Sequence, residues 1–159
     1  LHTRGSVPEA LVSACGQPCA SSTEVAQKAD IIFLMVPDTP DVEAALFGAD
    51  GVAAGLTAGK TVVDMSSISP MQTKVFAEKI NALGCDYMDA PVSGGEVGAK
   101  AASLTIMVGA AEATFEKVLP LLQHMGKNIT LVGGNGDGQT CKVANQIIAA
   151  LNIAAVGEA

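Results

Sequence analysis

Ile31-Ile32-Phe33-Leu34-Met35-Val36-Pro37 is the stretch on which the fold turns. Six consecutive apolar residues have the length of a strand, and Pro37 stops it because proline has no N–H to give to a neighbouring strand. Apolar and polar residues do not alternate along it, so both faces are expected to be covered, as in a parallel sheet. Just before it, Ser21 and Ser22 are placed to cap a helix over about 22–28, with Glu24 in the opening turn where the helix dipole favours an anion. Just after it, Asp38 and Thr39 precede a second helix over about 40–47, broken by Gly48 and Gly51. Farther along, 60–65 reads as a strand, Pro70 opens a helix reaching about 83, and 85–89 is a strand again. This regular alternation predicts a doubly wound α/β sheet.

The flanks carry weaker signals. Residues 1–4 read as the end of a strand whose beginning is absent, followed by a short helix with Pro8 near its first turn and a brief strand over 18–20. Beyond Pro91 the pattern loosens into a short helix over 96–101, a strand over 104–108, a helix over 111–125 and a last strand over 128–132. One long helix then starts just after Gly136-Asp137-Gly138, with apolar residues at 143, 147, 150, 151 and 154. The chain begins with Leu1 and stops in mid-helix, so it reads as a piece of a longer protein.

Composition narrows the function. At 159 residues the chain suffices for one domain with a proper core, and with 49% hydrophobic and only 16% charged residues disorder is not expected. A net charge of -7 argues against nucleic acid and anionic membrane surfaces as partners. Any anionic ligand must then be held by local devices, such as helix N-termini and single Lys or Arg residues. No apolar run approaches the length needed to cross a bilayer and no signal-peptide pattern opens the chain, so the cytoplasm is the expected compartment. Cys15, Cys19, Cys85 and Cys141 show no CxxC spacing and no nearby histidine, which predicts neither a metal site nor a disulfide framework. Cys141 reads either as a reactive thiol beside Lys142 or as a small buried filler.

In doubly wound sheets, ligands bind beyond the carboxyl ends of the strands. The residues expected there are Arg4, Val36-Pro37-Asp38, Ser66-Ser67 and Asp89-Ala90-Pro91-Val92-Ser93-Gly94-Gly95, facing one crevice. In the last of these, two glycines let backbone N–H groups approach a ligand closely and Ser93 adds a hydroxyl; the same residues also suit a plain turn after a strand. On the long helix Lys142, Asn145 and Gln146 sit at i, i+3 and i+4, which puts three polar heads on one face. An ammonium is costly to bury without partners, so Lys142 is either functional or a solvated lysine on a polar stripe.

The stretch 89–95 together with Gly136, Gly138, Lys142 and Asn145 resembles the 3-hydroxyacid (β-hydroxyacid) dehydrogenase family, whose marks are a DAPVSGG loop and a later GxGxxxKxxN helix. Asp64-Met65-Ser66-Ser67-Ile68-Ser69-Pro70 and Met35-Val36-Pro37 match that family's cofactor loops in the same order. The resemblance implies a Rossmann-type NAD(P)-binding fold, with 1–134 as a partial dinucleotide-binding domain and 135–159 as the start of an interdomain helix. It makes Lys142 the catalytic lysine, Asn145 its substrate-orienting neighbour, and Ser93, Gly94 and Gly95 the grip on a substrate carboxylate. Val36, Pro37 and Ser67 would touch the nicotinamide end of NADPH or NADH, and Arg4 the 2′-phosphate, for which its fork is suited. The implied activity is reduction of a small aldehyde acid, tartronate semialdehyde going to D-glycerate, without a metal. Rivals within the family act on 3-hydroxyisobutyrate, glyoxylate or succinic semialdehyde, and a non-catalytic dinucleotide-binding module is the rival of another class. Members commonly assemble as homo-oligomers, which is the expectation for the parent protein. Two departures stand out: Gln146 replaces a second asparagine that the family often has, and no GxGxxG turn for the pyrophosphate is present.

Overall fold

A computed structural model describes every residue except Arg4 and Ser6. The first helix, α1 (Glu9–Ser13), buries none of its residues. In α2 (Ser22–Lys28) the cap is local: the Ser21 hydroxyl accepts from the Glu24 N–H at 3.1 Å, and the Glu24 carboxylate accepts from the Ala20 N–H at 2.7 Å. Its carboxyl end is closed from a distance, because Lys60 Nζ donates to the carbonyls of Ala26, Gln27 and Ala29. Next come β1 (Ile31–Leu34), α3 (Thr39–Phe47) capped by Asp38, and a 3-10 turn at Val52–Gly55. They lead to β2 (Thr61–Asp64), α4 (Pro70–Asn81) and β3 (Asp86–Asp89). After Pro91 come β4 (Val92–Ser93), α5 (Gly95–Lys100), β5 (Leu104–Gly109) and α6 (Glu112–Leu122), then β6 (Gly126–Gly133) and α7 (Asp137–Glu158).

The sheet has helices on both faces. Strands β1, β2 and β3 lie side by side in parallel. Neighbours within β2 point to opposite sides: Val62 joins Ile32 and Tyr87 against α3 and α4, while Val63 joins Met88, Ile106 and Val108 against α6. Sequence reasoning did not show that β5 and β6, parallel to each other, run opposite to the first three strands. The pairs Asp89–Gly109, Val92–Ile106 and Ser93–Thr105 keep one register, so β3 and β4 are two halves of a single line along β5. The gap between the halves falls at Ala90-Pro91, where proline lacks the ladder donor, although its carbonyl still accepts from the Met107 N–H at 3.0 Å.

Three further expectations differ from the structure. No strand forms over 18–20; Pro18 has no donor to offer, and the segment's contact with the amino terminus includes a 2.7 Å bond from the Cys19 N–H to the Leu1 carbonyl. Strand β1 ends two residues before the apolar run does, leaving Met35 65% exposed at the mouth of a cavity. Helix α7, by length and composition, is long and apolar enough to cross a bilayer, against the expectation that no run approaches this. Its first turns are committed to the sheet instead, with Gly138, Gln139 and Lys142 buried. A Cβ at Gly138 would stand 2.5 Å from the Met107 carbonyl oxygen, so only glycine lets the helix come this close. Beyond them Ile147, Ile148, Leu151, Ile153 and Val156 are all exposed.

Candidate functional site

The site grows from two arms that leave Asp89. One arm is the strand line, which β5 carries past the end of β2 as far as Ser93. There Gly94 (φ 133°) and Gly95 (φ 58°) turn the chain into α5 through backbone angles that side chains resist, leaving the amides open. The other arm is α7. Both oxygens of the buried Asp89 carboxylate accept from its first turn, one from the Gly136 N–H at 2.7 Å and the other from the Gln139 N–H at 2.9 Å. This places an anion at the positive end of a helix. Burial nevertheless pushes the Asp89 carboxyl up to about 6, against the pull of those N–H groups.

A cavity of about 570 Å³ lies between the arms. It brings together Ser93, Gly94, Gly95, Lys142 and Ser67, with Met35 and Gln146 on its walls. A neighbouring cavity of about 470 Å³ shares Ser67, Lys142 and Gln146 with it and continues along α7 to Ala150. Lys142 is only 9% exposed, and burial lowers its ammonium pKa from the ordinary lysine value. Among the described residues its ammonium has no hydrogen-bond or ion-pair partner, and neither has the hydroxyl of Ser67 or of Ser93. The remaining sequence-predicted residues are placed differently. Val36 lines a separate cavity of about 370 Å³ with His2, Thr3 and Asp41, and Pro37 lines none of these three. Asn145 is half-buried and donates to Gln146 Oε1 at 3.4 Å, so it is Gln146 that reaches the cavities. Arg4 lies outside the described residues.

Beneath the site runs a buried polar network. Asp64 accepts from the Ser66 N–H and the Tyr87 hydroxyl, both at 2.9 Å, and burial raises its carboxyl above the ordinary range. The Ser66 hydroxyl in turn accepts from the Val36 N–H at 3.0 Å, tying the loops after β1 and β2 together. Sequence reasoning placed Asp89 among the residues facing the crevice and Asp64 in a cofactor loop; both are instead fully buried and hold backbone or Tyr87, and Tyr87 and Gln139 were given no role. The one local signal was an aspartate closing each of β2 and β3, where an apolar run meets the ligand-binding edge.

The chain is similar to known proteins in sequence and fold. A family model described as the NAD binding domain of 6-phosphogluconate dehydrogenase matches residues 2–134. The chain is 60% identical to 2-hydroxy-3-oxopropionate reductase of Escherichia coli, over all of its own length and 55% of that protein's. Among solved structures, 3-hydroxyisobutyrate dehydrogenase of Salmonella typhimurium superposes with a TM-score of 0.84 at 33% identity, covering 96% of this chain and 54% of the other. Psf3 in complex with NADP+ and 2-OPP superposes with a TM-score of 0.87 at 26% identity, covering 92% and 52%. The chain thus spans about half the length of these relatives. It belongs to the family of the 6-phosphogluconate dehydrogenase NAD-binding domain, on the branch of the 3-hydroxyacid dehydrogenases.

Proposed function

We propose that the whole protein carrying this chain reduces a small aldehyde acid with NADPH or NADH, and that its substrate is tartronate semialdehyde, which becomes D-glycerate. The observation that carries this reading is the meeting around one cavity of three polar heads, those of Lys142, Ser67 and Ser93, that have no partner among the described residues. The name of the Escherichia coli relative supports the choice of substrate.

The residues present suit the nicotinamide end of a dinucleotide. Val36, Pro37 and Ser67 follow the carboxyl ends of parallel β1 and β2, the edge at which such sheets take dinucleotides, and the Ser66–Val36 bond joins the two loops. Arg4 is assigned to the 2′-phosphate of NADPH on the resemblance alone. When bound, the cofactor supplies the hydride. The chain supplies the rest. Ser93 and the N–H groups of Gly94 and Gly95 hold the substrate carboxylate and so select the face of the carbonyl that is presented. Lys142 as ammonium hydrogen-bonds the carbonyl oxygen and gives up its proton as negative charge builds there, a contribution of roughly 10²–10⁴-fold for a placed acid. Asn145 orients the substrate through Gln146, whose amide oxygen it holds.

On this reading 1–134 is a partial dinucleotide-binding domain, in keeping with the extent of the family match, and 135–159 is the start of an interdomain helix. The exposed apolar residues of α7 support the second assignment. The parent is proposed to be a homo-oligomer, and the 159-residue chain alone to be inactive. A second reading, oxidation of 3-hydroxyisobutyrate, is favoured by the likeness to the Salmonella enzyme.

The deciding experiment follows NADPH oxidation by the whole protein with tartronate semialdehyde, glyoxylate and succinic semialdehyde, alongside Lys142→Ala. Tartronate semialdehyde is expected to be turned over fastest. Lys142→Ala should keep near-normal cofactor binding and lose at least about 100-fold in turnover. A mutant that retains most of its turnover sinks the role of the lysine. If none of the three, nor 3-hydroxyisobutyrate in reverse, shows lysine-dependent turnover, the protein is a dinucleotide-binding module.

A further inference from the structure

Ser67 and Lys142 reach the cavity from distant parts of the sequence, and one side chain spans the gap between their backbones. Gln139 is fully buried and lies three residues before Lys142, on the same face of α7. Its Nε2 donates to the Ser66 carbonyl at 2.7 Å, and its Oε1 accepts from the Ile68 N–H at 3.1 Å. The two bonds straddle Ser67. A primary amide has a donor and an acceptor at one end, so it satisfies this carbonyl and this N–H together, as a neighbouring strand does. The backbone of Gln139 is fixed in turn, since its N–H donates to Asp89.

We propose that Gln139 is a positioning residue, which sets the loop bearing Ser67 against the ammonium of Lys142. Both polar ends of Gln139 are engaged with backbone, so it acts on the reaction through its neighbours and does not touch the reacting atoms. Ser67 and Ile68, which it holds, line the same cavity as Lys142, so the loop contributes to the burial of the ammonium. This inference rests on the reading of Lys142 as proton donor, and the test separates the two.

In the whole protein, Gln139→Met keeps the length of the side chain and removes both bonds, while Gln139→Asn keeps the amide but falls one methylene short of the loop. Both are compared with the parent and with Lys142→Ala in kcat, KM, NADPH affinity, thermal stability and the pH profile of reduction. The Lys142 titration is also followed by NMR of carbon-labelled lysine, a readout independent of turnover. At saturating NADPH, kcat should fall on the order of 10–100-fold, the scale of a misplaced catalytic group. The Lys142 midpoint should move up, as water reaches the ammonium. A kcat and a Lys142 midpoint equal to the parent's in either folded variant overturn the proposal, whatever the stability, and leave Gln139 a structural clamp. Failure of both variants to fold overturns it as well, since the residue then determines the fold and not the site. If Lys142→Ala keeps its turnover, the reading of the lysine fails first and the Gln139 proposal falls with it.

Discussion

Lys142 is largely buried yet, among the described residues, has no ion-pair partner, and this combination sets the pH range in which it can serve as a proton donor. Burial lowers its pKa from the ordinary lysine value, so the proton is lost at a lower pH than from an exposed lysine. The rate of reduction should therefore fall as pH rises through a midpoint below the usual lysine range, and the reverse oxidation should rise through the same midpoint. A pH profile of both directions checks this, and a reduction rate flat through pH 10 contradicts it. Asp89 titrates in the opposite sense. Its carboxyl is raised from 3.8 to about 6, so the folded chain holds that proton more tightly than the unfolded one. The stability this group contributes is complete below about pH 4 and is lost as pH rises through about 6, a change on the order of 3 kcal/mol. Asp89→Asn removes this part of the slope in urea unfolding between pH 4 and 7, and leaves the part of the same sign that belongs to Asp64. It should also cost roughly 1–3 kcal/mol at low pH, because the amide turns an NH₂ towards one of two N–H groups. Neither Asp89 nor Gln139 could be assigned from sequence, since their partners lie 47 and 71 residues away.

Helix starts were legible because cap chemistry is local. Ser21, Asp38 and Ser69 each accept from an N–H within the next three residues, and the helices begin where those side chains stand. Helix ends were less so, and α2 shows why: its last carbonyls are satisfied by Lys60, more than 30 residues on. Lys60→Met should leave those carbonyls without their donor and lower stability by about 1–3 kcal/mol, with hydrogen exchange rising first in the last turn of α2. Equal protection in the two proteins counts against the cap. The apolar run at 31–36 was enough to predict a strand but not its covering: β2 is buried on both faces, whereas β1 lies at the sheet edge and leaves Phe33 40% exposed, since the element that would cover an edge strand cannot be read from the strand itself. The reversal of β5 was not readable, since strand direction depends on which edge the returning chain meets and not on its residues.

Taken as a whole, the outer part of α7 is a surface that the chain's own core leaves unused. Ile147, Leu151 and Ile153 are between 58% and 74% exposed and belong to neither apolar cluster. The isolated 159-residue chain should therefore bind anilinonaphthalene sulfonate, and changing these three to glutamate should abolish that binding while shifting stability by no more than about 0.5 kcal/mol per site. A large loss of melting temperature would mean that this part of α7 packs against the domain. The other end of α7 has the opposite character. Asp89 ends the first half of the strand line that runs on to Ser93 and also fastens the helix that carries Lys142, so the grip and the proton donor are measured from a common datum. In such an arrangement errors do not accumulate: a shift of the sheet displaces both arms alike and leaves their separation intact. Tolerance to distant substitutions should accordingly be wide, and narrow only for changes that lengthen one arm relative to the other.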